Sequence, residues 1–301
     1  MPAFEAFDPV FSTLLIRHAQ LERLYTGCRW AEGAVYFPAA RHLIWSDIPN
    51  NRMLRYDECD DSVSVFRSPS NNSNGNTLDR QGRLVTAEHG ARRVTRTEHD
   101  GTITVIADRY QGKRLNSPND VVVKSDGSIW FTDPPYGILY DYEGGRAPSE
   151  LGGFFVFRVD GNSGELSIVA DDFFRPNGLA FSPDEKILYI ADSGSRQPGG
   201  ARHIRAFDVT EDGKLRNGRL FAECAAGRFD GFRVDEAGRI WSATDDGVHC
   251  HTAEGKLIGK IPIPEICANV VFGGLKRNRL FVCATTSLYA VYLAINGVKT
   301  F

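Results

Sequence analysis

The chain has 301 residues, of which 42% are hydrophobic and 24% are charged, and its formal net charge is −3. This composition is typical of a globular protein, and the slight acidity argues against a general binder of nucleic acid or anionic membranes. No run approaches the roughly 18 apolar residues of a membrane-spanning helix, and the first residues lack the basic region of a secretory signal. We therefore expect a cytoplasmic protein that binds neither membrane nor nucleic acid.

Helical periodicity is scarce, and residues 9–20 form the only candidate helix. Elsewhere 30 glycines and 14 prolines separate short runs of β-branched and aromatic residues, which is typical of an all-β protein. One unit recurs along the chain. It consists of an Asn, Asp or Glu, an alternating apolar strand, a turn such as Asp-Gly, and a second strand with an aromatic residue. Residues 119–130 are its clearest copy.

Six copies of this unit follow one another, and we call the first residue of each copy its leading residue. The leading residues are Glu32, Asn74, Asn119, Asn177, Asp230 and Asn269. Their spacing is near the 40 to 50 residues or so of a propeller blade. The sequence thus predicts a single all-β domain over residues 1–301, a six-bladed β-propeller. An N-terminal strand at residues 21–24 is expected to complete the last blade and close the ring.

The leading residues all carry side-chain oxygen atoms, and each is predicted just before the strand that lines the central channel. A single Asn or Asp in such a place is commonly a turn residue. The shared register of all six favours instead a site at one mouth of the channel for a hard cation, which takes carboxylate and amide oxygens. Glu32 and Asp230 would balance the charge of a divalent ion, and Asn119 and Asn177 would add neutral oxygens. A set without thiolate or imidazole argues against zinc or copper.

The loops after the second strands are expected to reach the same mouth. They carry His89 and Asp133, which are candidates for general base or for substrate contact. Each also has a structural explanation. His89 could be a hydrogen-bonded structural histidine, and Asp133, before two prolines, could be a turn residue.

Several motifs make the chain recognisable. They are Trp-Ala-Glu-Gly at 30–33, Glu-His-Gly at 88–90, Ser-Pro-Asn-Asp at 117–120, Phe-Thr-Asp-Pro-Pro-Tyr-Gly at 131–137 and Arg-Pro-Asn-Gly at 175–178. Together they resemble the microbial gluconolactonases of the senescence-marker-protein/gluconolactonase (regucalcin) family. The resemblance implies a six-bladed propeller that hydrolyses sugar lactones. It also implies one divalent cation, usually Ca²⁺, on Glu32, Asn119, Asn177 and Asp230, with Mg²⁺, Mn²⁺ or Zn²⁺ as alternatives.

One position departs from the family pattern. Animal members carry an arginine two residues before the Asn of the third leading position, and this chain has Ser117 there. The substrate contacts must therefore differ, and we predict them at Asn74, Ser117, His89 and Asp133. For the reaction, Asp230 is the first candidate for the base that activates water, and His89 or Asp133 could share that role.

Two other classes of function stay open. The chain could be another metal-dependent esterase, lactonase or organophosphate hydrolase, because a fold does not determine its chemistry. It could also be a non-enzymatic binding module, but such a protein would more typically show an exposed apolar or single-signed patch. The favoured prediction is an enzyme with one divalent cation and a small-molecule lactone as its partner.

Overall fold

The computed structural model describes residues 4–194, 200–225 and 227–299. Within these ranges six sheets of four or five antiparallel strands surround a central channel, and one short hairpin lies outside them. The predicted all-β, six-bladed propeller is confirmed. No helix of the described ranges is long and apolar enough to span a membrane.

The first half of the chain forms an N-terminal segment and blades 1 to 3. The N-terminal segment contains β1 (Glu5–Ala6), α1 (Pro9–Thr13) and β2 (Glu22–Thr26). Blade 1 contains β3 (Ala31–Phe37), β4 (His42–Asp47), β5 (Arg52–Asp57) and β6 (Ser62–Arg67). Blade 2 contains β7 (Ser73–Leu78), β8 (Leu84–Glu88), β9 (Arg93–Thr97) and β10 (Ile103–Ala107), followed by the hairpin of β11 (Arg109–Tyr110) and β12 (Lys113–Arg114). Blade 3 contains β13 (Val121–Val123), β14 (Ile129–Asp133), α2 (Tyr136–Leu139), β15 (Phe155–Val159) and β16 (Leu166–Ala170).

The second half forms blades 4 to 6. Blade 4 contains β17 (Pro176–Phe181), β18 (Ile187–Asp192), β19 (His203–Val209) and β20 (Leu215–Glu223). Blade 5 contains β21 (Phe229–Val234), β22 (Ile240–Thr244), β23 (Gly247–His251) and β24 (Leu257–Ile261). Blade 6 contains β25 (Cys267–Gly273), β26 (Arg279–Ala284) and β27 (Ser287–Tyr292). The first strand of each blade lines the channel and contacts the first strand of the next blade, from β3 around to β25 and back to β3.

The two ends of the chain meet in blade 6. Strand β2 pairs antiparallel with β27, with Glu22 opposite Ala290 and Thr26 opposite Ser287. The N-terminal strand therefore completes the last blade, as predicted. This pairing covers the outer edge of β27, which would otherwise present unpaired backbone groups.

The segment before β2 differs from the predicted helix at residues 9–20. Helix α1 is only five residues long, and Asp8 caps it by accepting the N–H of Val10 at 3.0 Å. The preceding strand β1 pairs with β24 as a fifth strand of blade 5. Phe11 is fully buried over Gly259, where an added Cβ would lie 2.2 Å from the ring. A two-residue strand has too little pattern to be predicted, and the covered blade edge explains why it is there.

Aromatic side chains from the second strands fill the space between blades. Trp45, Trp130 and Trp241 are each fully buried. Trp130 meets Phe181 of the next blade edge-on, with ring centroids 5.6 Å apart, and Trp241 meets Phe272 in the same way at 6.2 Å. Edge-to-face contacts of this kind add to the burial energy that holds neighbouring blades together.

Five of the six leading residues lie inside the first strands rather than just before them, whereas Asn119 lies two residues before β13, as predicted. Glu32, Asn74, Asn177 and Asp230 are each the second residue of their strand. The pairing with the second strand shifts register after Glu32 and across each of the other three. Such a bulge turns side chains toward a new direction. The turn explanation of these Asn and Asp residues therefore does not apply, because they belong to bulged strands.

A glycine follows the leading residue in four blades, and it allows neighbouring first strands to approach closely. An added Cβ at Gly33 would lie 1.8 Å from the carbonyl oxygen of Asn74. The corresponding distances are 2.4 Å from Gly75 to the oxygen of Asn119 and 2.3 Å from Gly178 to that of Asp230. No side chain fits there, so the glycines bring the leading residues together at one mouth.

Replacing Gly33 by alanine should therefore destabilise the ring strongly. Gly33→Ala adds a Cβ against backbone and strains a residue at φ +57°, so we expect a loss of about 3 kcal/mol or more in the free energy of unfolding. Gly82→Ala is the matched control, because Gly82 also has a positive φ (+75°) but no atom within 4 Å of its added Cβ. It should cost only about 1 kcal/mol. Urea unfolding measures both, and equal losses would contradict the close-approach argument.

Candidate functional site

A small cavity of about 50 Å³ opens where the leading residues converge. It is lined by Trp30, Glu32, Ile48, Asn74, Asn119, Tyr136, Glu143, Asn177, Arg228 and Asp230. Five leading residues thus share one wall. The sixth, Asn269, forms a hydrogen bond with the carboxylate of Glu32 from blade 6.

Two carboxylates are buried in this wall. Glu32 is 4% exposed and Asp230 is 5% exposed. Burial and the negative charge of Asp230 raise the pKa of Glu32 well above its ordinary value. Burial also raises the pKa of Asp230 to about 6, although the charge of Arg228 lowers it. Two acids held together out of water are stabilised either by a proton or by a nearby cation.

Two amides complete the set. Asn177 Nδ2 donates to Ser193 Oγ at 3.1 Å, and the Asn177 side chain also forms a hydrogen bond with Asp230. Ser193 Oγ in turn donates to the carbonyl oxygen of Phe229 at 2.6 Å. The amide nitrogen of Asn177 is therefore directed at protein partners, and its oxygen accepts no hydrogen bond from the described residues. The side chain of Asn119 lines the same cavity.

The donor set fits a hard divalent cation. Carboxylate and amide oxygens are the ligands that Ca²⁺ and Mg²⁺ prefer. The described part of the chain contains no group of three or more His, Cys, Asp or Glu that could hold a metal. Any ion at this mouth would therefore depend on the amides of Asn119 and Asn177 as well as on Glu32 and Asp230. Such an oxygen-only set suits zinc and copper poorly.

Among the residues that the structure describes, Arg228 is the only guanidinium in the cavity wall. Its Nε lies 3.9 Å from a carboxylate oxygen of Asp230 and 3.9 Å from one of Asp245. Its side chain is 15% exposed, and it makes no hydrogen bond to any residue that the structure describes. Arg228 therefore has donors to offer to a molecule in the cavity.

The loop between β14 and β15 covers the mouth. Tyr136 begins α2, and Glu143 follows in an irregular stretch of this loop. An added Cβ at Gly144 would lie 2.2 Å from the carbonyl oxygen of Gly137, so the loop lies tightly on α2. Burial and the charge of Asp230 raise the pKa of Glu143 to about 7.

His89 lies behind the cavity wall and is fully buried. Its Nε2 is 3.1 Å from Asn74 Nδ2, and its Nδ1 is 3.3 Å from the carbonyl oxygen of Glu143. A neutral ring accounts for both contacts, with Nε2 accepting from Asn74 and Nδ1–H donating to Glu143. Burial lowers the pKa of His89 to about 4, which agrees with a neutral ring. His89 therefore holds Asn74 and the covering loop in place instead of facing the cavity.

Asp133 and Ser117 are also fully buried, and neither lines the cavity. The two oxygens of Asp133 accept the backbone N–H groups of Asn116 and Ser117, each at 2.8 Å. Ser117 Oγ donates to the carbonyl oxygen of Pro134 at 2.6 Å and accepts the N–H of Gly137 at 2.9 Å. Together they fix the segment that leads into β13 and the start of the covering loop.

The same carboxylate arrangement recurs in other blades. Asp192 accepts the N–H groups of Phe174 at 2.8 Å and of Arg175 at 2.9 Å, and Asp47 accepts the N–H of Arg29 at 2.9 Å. In each case an acid at the end of the second strand holds the segment just before the leading residue. This recurrence indicates a structural role for the acid in blade 3 as well.

The structure thus divides the residues predicted for the site. It brings together Glu32, Asn74, Asn119, Asn177 and Asp230 at the cavity, and it places Ser117, His89 and Asp133 behind it. Sequence reasoning missed Trp30, Ile48, Tyr136, Glu143 and Arg228. Arg228 did have a signal, because it stands two residues before Asp230, the same offset at which Ser117 precedes Asn119.

Known proteins share this architecture. Gluconolactonase of Zymomonas mobilis is 29% identical to this chain, in an alignment that covers 95% of this chain and 84% of that protein. Pentonolactonase of Haloferax volcanii is 30% identical to this chain, and the alignment covers 85% of this chain and 82% of that protein. The solved structure of a gluconolactonase from Xanthomonas campestris has a TM-score of 0.90 at 39% identity, with coverage of 97% of this chain and 95% of that one.

A family model gives the same assignment. The model described as SMP-30/Gluconolactonase/LRE-like region matches residues 30–286. The match includes all six leading residues, from Glu32 in blade 1 to Asn269 in blade 6. The chain belongs to the SMP-30/gluconolactonase family.

Proposed function

We propose that the protein hydrolyses sugar lactones of the glucono-1,5-lactone type to aldonic acids, with one divalent cation held by Glu32, Asn119, Asn177 and Asp230. The observation that carries the proposal is the meeting of two buried carboxylates and two amides at one small cavity. The lactonase names of the relatives support the substrate class. Ca²⁺ is the preferred ion, because the donor set is all oxygen.

The reaction needs a water molecule to attack the lactone carbonyl carbon and to lose a proton. A divalent cation at this site would supply Lewis-acid stabilisation of the charge that develops on the carbonyl oxygen. Asp230 is our first candidate for the proton acceptor, since its carboxylate lines the cavity beside the proposed cation. Glu143 offers a second carboxyl group in the same wall.

Arg228, Tyr136 and Asn74 supply polar groups that can bind the hydroxyl groups of a sugar. The cavity is small beside the roughly 300 Å³ at the low end for ligand sites. We infer that part of the cavity wall, such as the loop that carries Glu143, shifts to admit the substrate.

Removal of the metal or of its ligands should abolish turnover. We expect proton release from glucono-1,5-lactone to stop with EDTA and to return with Ca²⁺. Asp230→Asn and Glu32→Gln should each lower kcat by about 100-fold or more and weaken Ca²⁺ binding in calorimetry.

Asp245→Asn is the matched control for this experiment. Asp245 is also an acid beside Arg228, at 3.9 Å, but it does not line the cavity. We expect its Ca²⁺ affinity to be unchanged. Full activity and full Ca²⁺ binding of Asp230→Asn would contradict the proposed site.

The neutral, buried ring of His89 should make stability depend on pH. The unfolded chain takes up a proton near pH 6.5, whereas the folded chain does so only near pH 4. The free energy of unfolding should therefore fall as the pH drops from about 6.5 to 4, by about 3 kcal/mol from this group, and then level off. The free energy of unfolding in urea is measured for the wild type and for His89→Gln across this pH range. The difference between the two curves gives the contribution of His89. Parallel pH curves for the two proteins would show that His89 is not held neutral.

Asp133 should act as a structural residue rather than as a base. In Asp133→Asn one of the two backbone N–H groups that the carboxylate accepts loses its partner, which should cost about 1–3 kcal/mol of stability. Asp192→Asn, with the same bonding pattern, should cost a similar amount. The pH profile of kcat should keep its shape in both variants. A 100-fold loss of kcat in Asp133→Asn alone, with normal stability, would instead make Asp133 a catalytic residue.

A further inference from the structure

A second and much larger cavity, about 450 Å³, lies at the opposite mouth of the channel. We call it the far cavity. All six first strands line it, through residues such as Tyr36, Leu78, Val122, Phe181, Arg233 and Phe272. Its lining residues all differ from those of the candidate lactonase site. Its volume falls within the range of about 300–1,000 Å³ that is usual for small-molecule sites.

The walls of the far cavity combine polar side chains with a somewhat larger apolar surface. They include Leu78, Phe181, Val271 and Phe272, which come from blades 2, 4 and 6. Burying an apolar body against such side chains is favourable in proportion to the area removed from water. A sugar or an aldonic acid has no apolar body of this kind, so the far cavity suits a different class of molecule.

Positive charge predominates among the lining residues. They include the cations Arg80, Arg233, Arg277 and Lys299 but only the two carboxylates Asp184 and Glu185. Arg80 pairs with Glu185 at 2.6 Å. The partner of Arg277, Glu236, lies outside the lining. Cations therefore outnumber acids in the lining itself, and Asp120 and Glu236 pair with Arg233 and Arg277 from outside it.

Arg233 is the cation best placed to bind an anion. Its Nη1 donates to the carbonyl oxygen of Phe232 at 2.8 Å and lies 3.5 Å from a carboxylate oxygen of Asp120. Its Nε and Nη2 make no hydrogen bond to the described residues. Neither nitrogen is fully buried, so both are accessible to a ligand. A guanidinium with two donors facing an apolar cavity matches a carboxylate, sulfonate or phosphate group.

We propose that the far cavity binds a small amphipathic organic anion. Its acidic group pairs with the guanidinium of Arg233, and its flat apolar body lies between Phe181 and Phe272. This site is separate from the lactonase site and does not depend on the proposed reaction.

The test uses 8-anilinonaphthalene-1-sulfonate, an anion whose fluorescence rises in apolar surroundings. We expect saturable binding of one probe per chain to the wild-type protein. Arg233→Met should weaken it about tenfold or more, because a charge-assisted hydrogen bond is lost. Val271→Trp, which places an indole in the cavity, should abolish binding and leave lactone turnover unchanged.

Two controls separate this site from general adsorption. Arg219→Met removes an exposed guanidinium that pairs with Asp208 on the rim of blade 4, and it should leave binding unchanged. The uncharged analogue N-phenyl-1-naphthylamine should bind the wild-type protein more weakly than the sulfonate does. Equal affinity for the two probes, or sulfonate binding that survives both Arg233→Met and Val271→Trp, would overturn the proposal. The probe comparison needs no variant, so it decides the matter even where a substitution impairs folding.

Discussion

The close approach of neighbouring first strands around the channel is the constraint on which the rest of the structure depends. At Gly33 the backbone of the next blade leaves no room for a Cβ, since the oxygen of Asn74 would lie 1.8 Å from it. The same crowding holds at Gly75 and Gly178. It forces the leading side chains into one small space, where two acids become buried together. The unfavourable charge that results is the physical reason to expect a cation there.

Acids of the same type have two different roles in this protein, and the number of donors around each acid decides which role it has. Asp133 and Asp192 each accept two or more backbone N–H groups, so their oxygens are already used. Glu32 accepts one backbone N–H, from Gly33 at 2.6 Å, and faces the cavity. A carboxylate whose two oxygens both accept backbone N–H groups holds a loop, whereas one with fewer backbone donors that faces the cavity can bind an ion.

The sequence could predict the blades because each blade repeats the same period, and it could predict the leading residues because they share one register. It could not predict that His89 and Asp133 are buried behind the cavity wall. Period and register indicate at which mouth of the channel a residue lies, but not which hydrogen bonds its side chain makes there. Glu143 was missed for a different reason. It belongs to an irregular loop, which has no period to read, and the packing of Gly144 on Gly137 together with the contact from His89 brings it over the mouth.

The pairing of β2 with β27 has a consequence for synthesis on the ribosome. Strand β2 leaves the ribosome long before its partner at Ser287–Tyr292 does. At about 5–20 residues per second, β2 waits for tens of seconds without its neighbour. During that time the growing chain carries an open strand edge at each end of a partial ring. A nascent chain that stalls before residue 287 cannot close the ring and has to be protected or degraded.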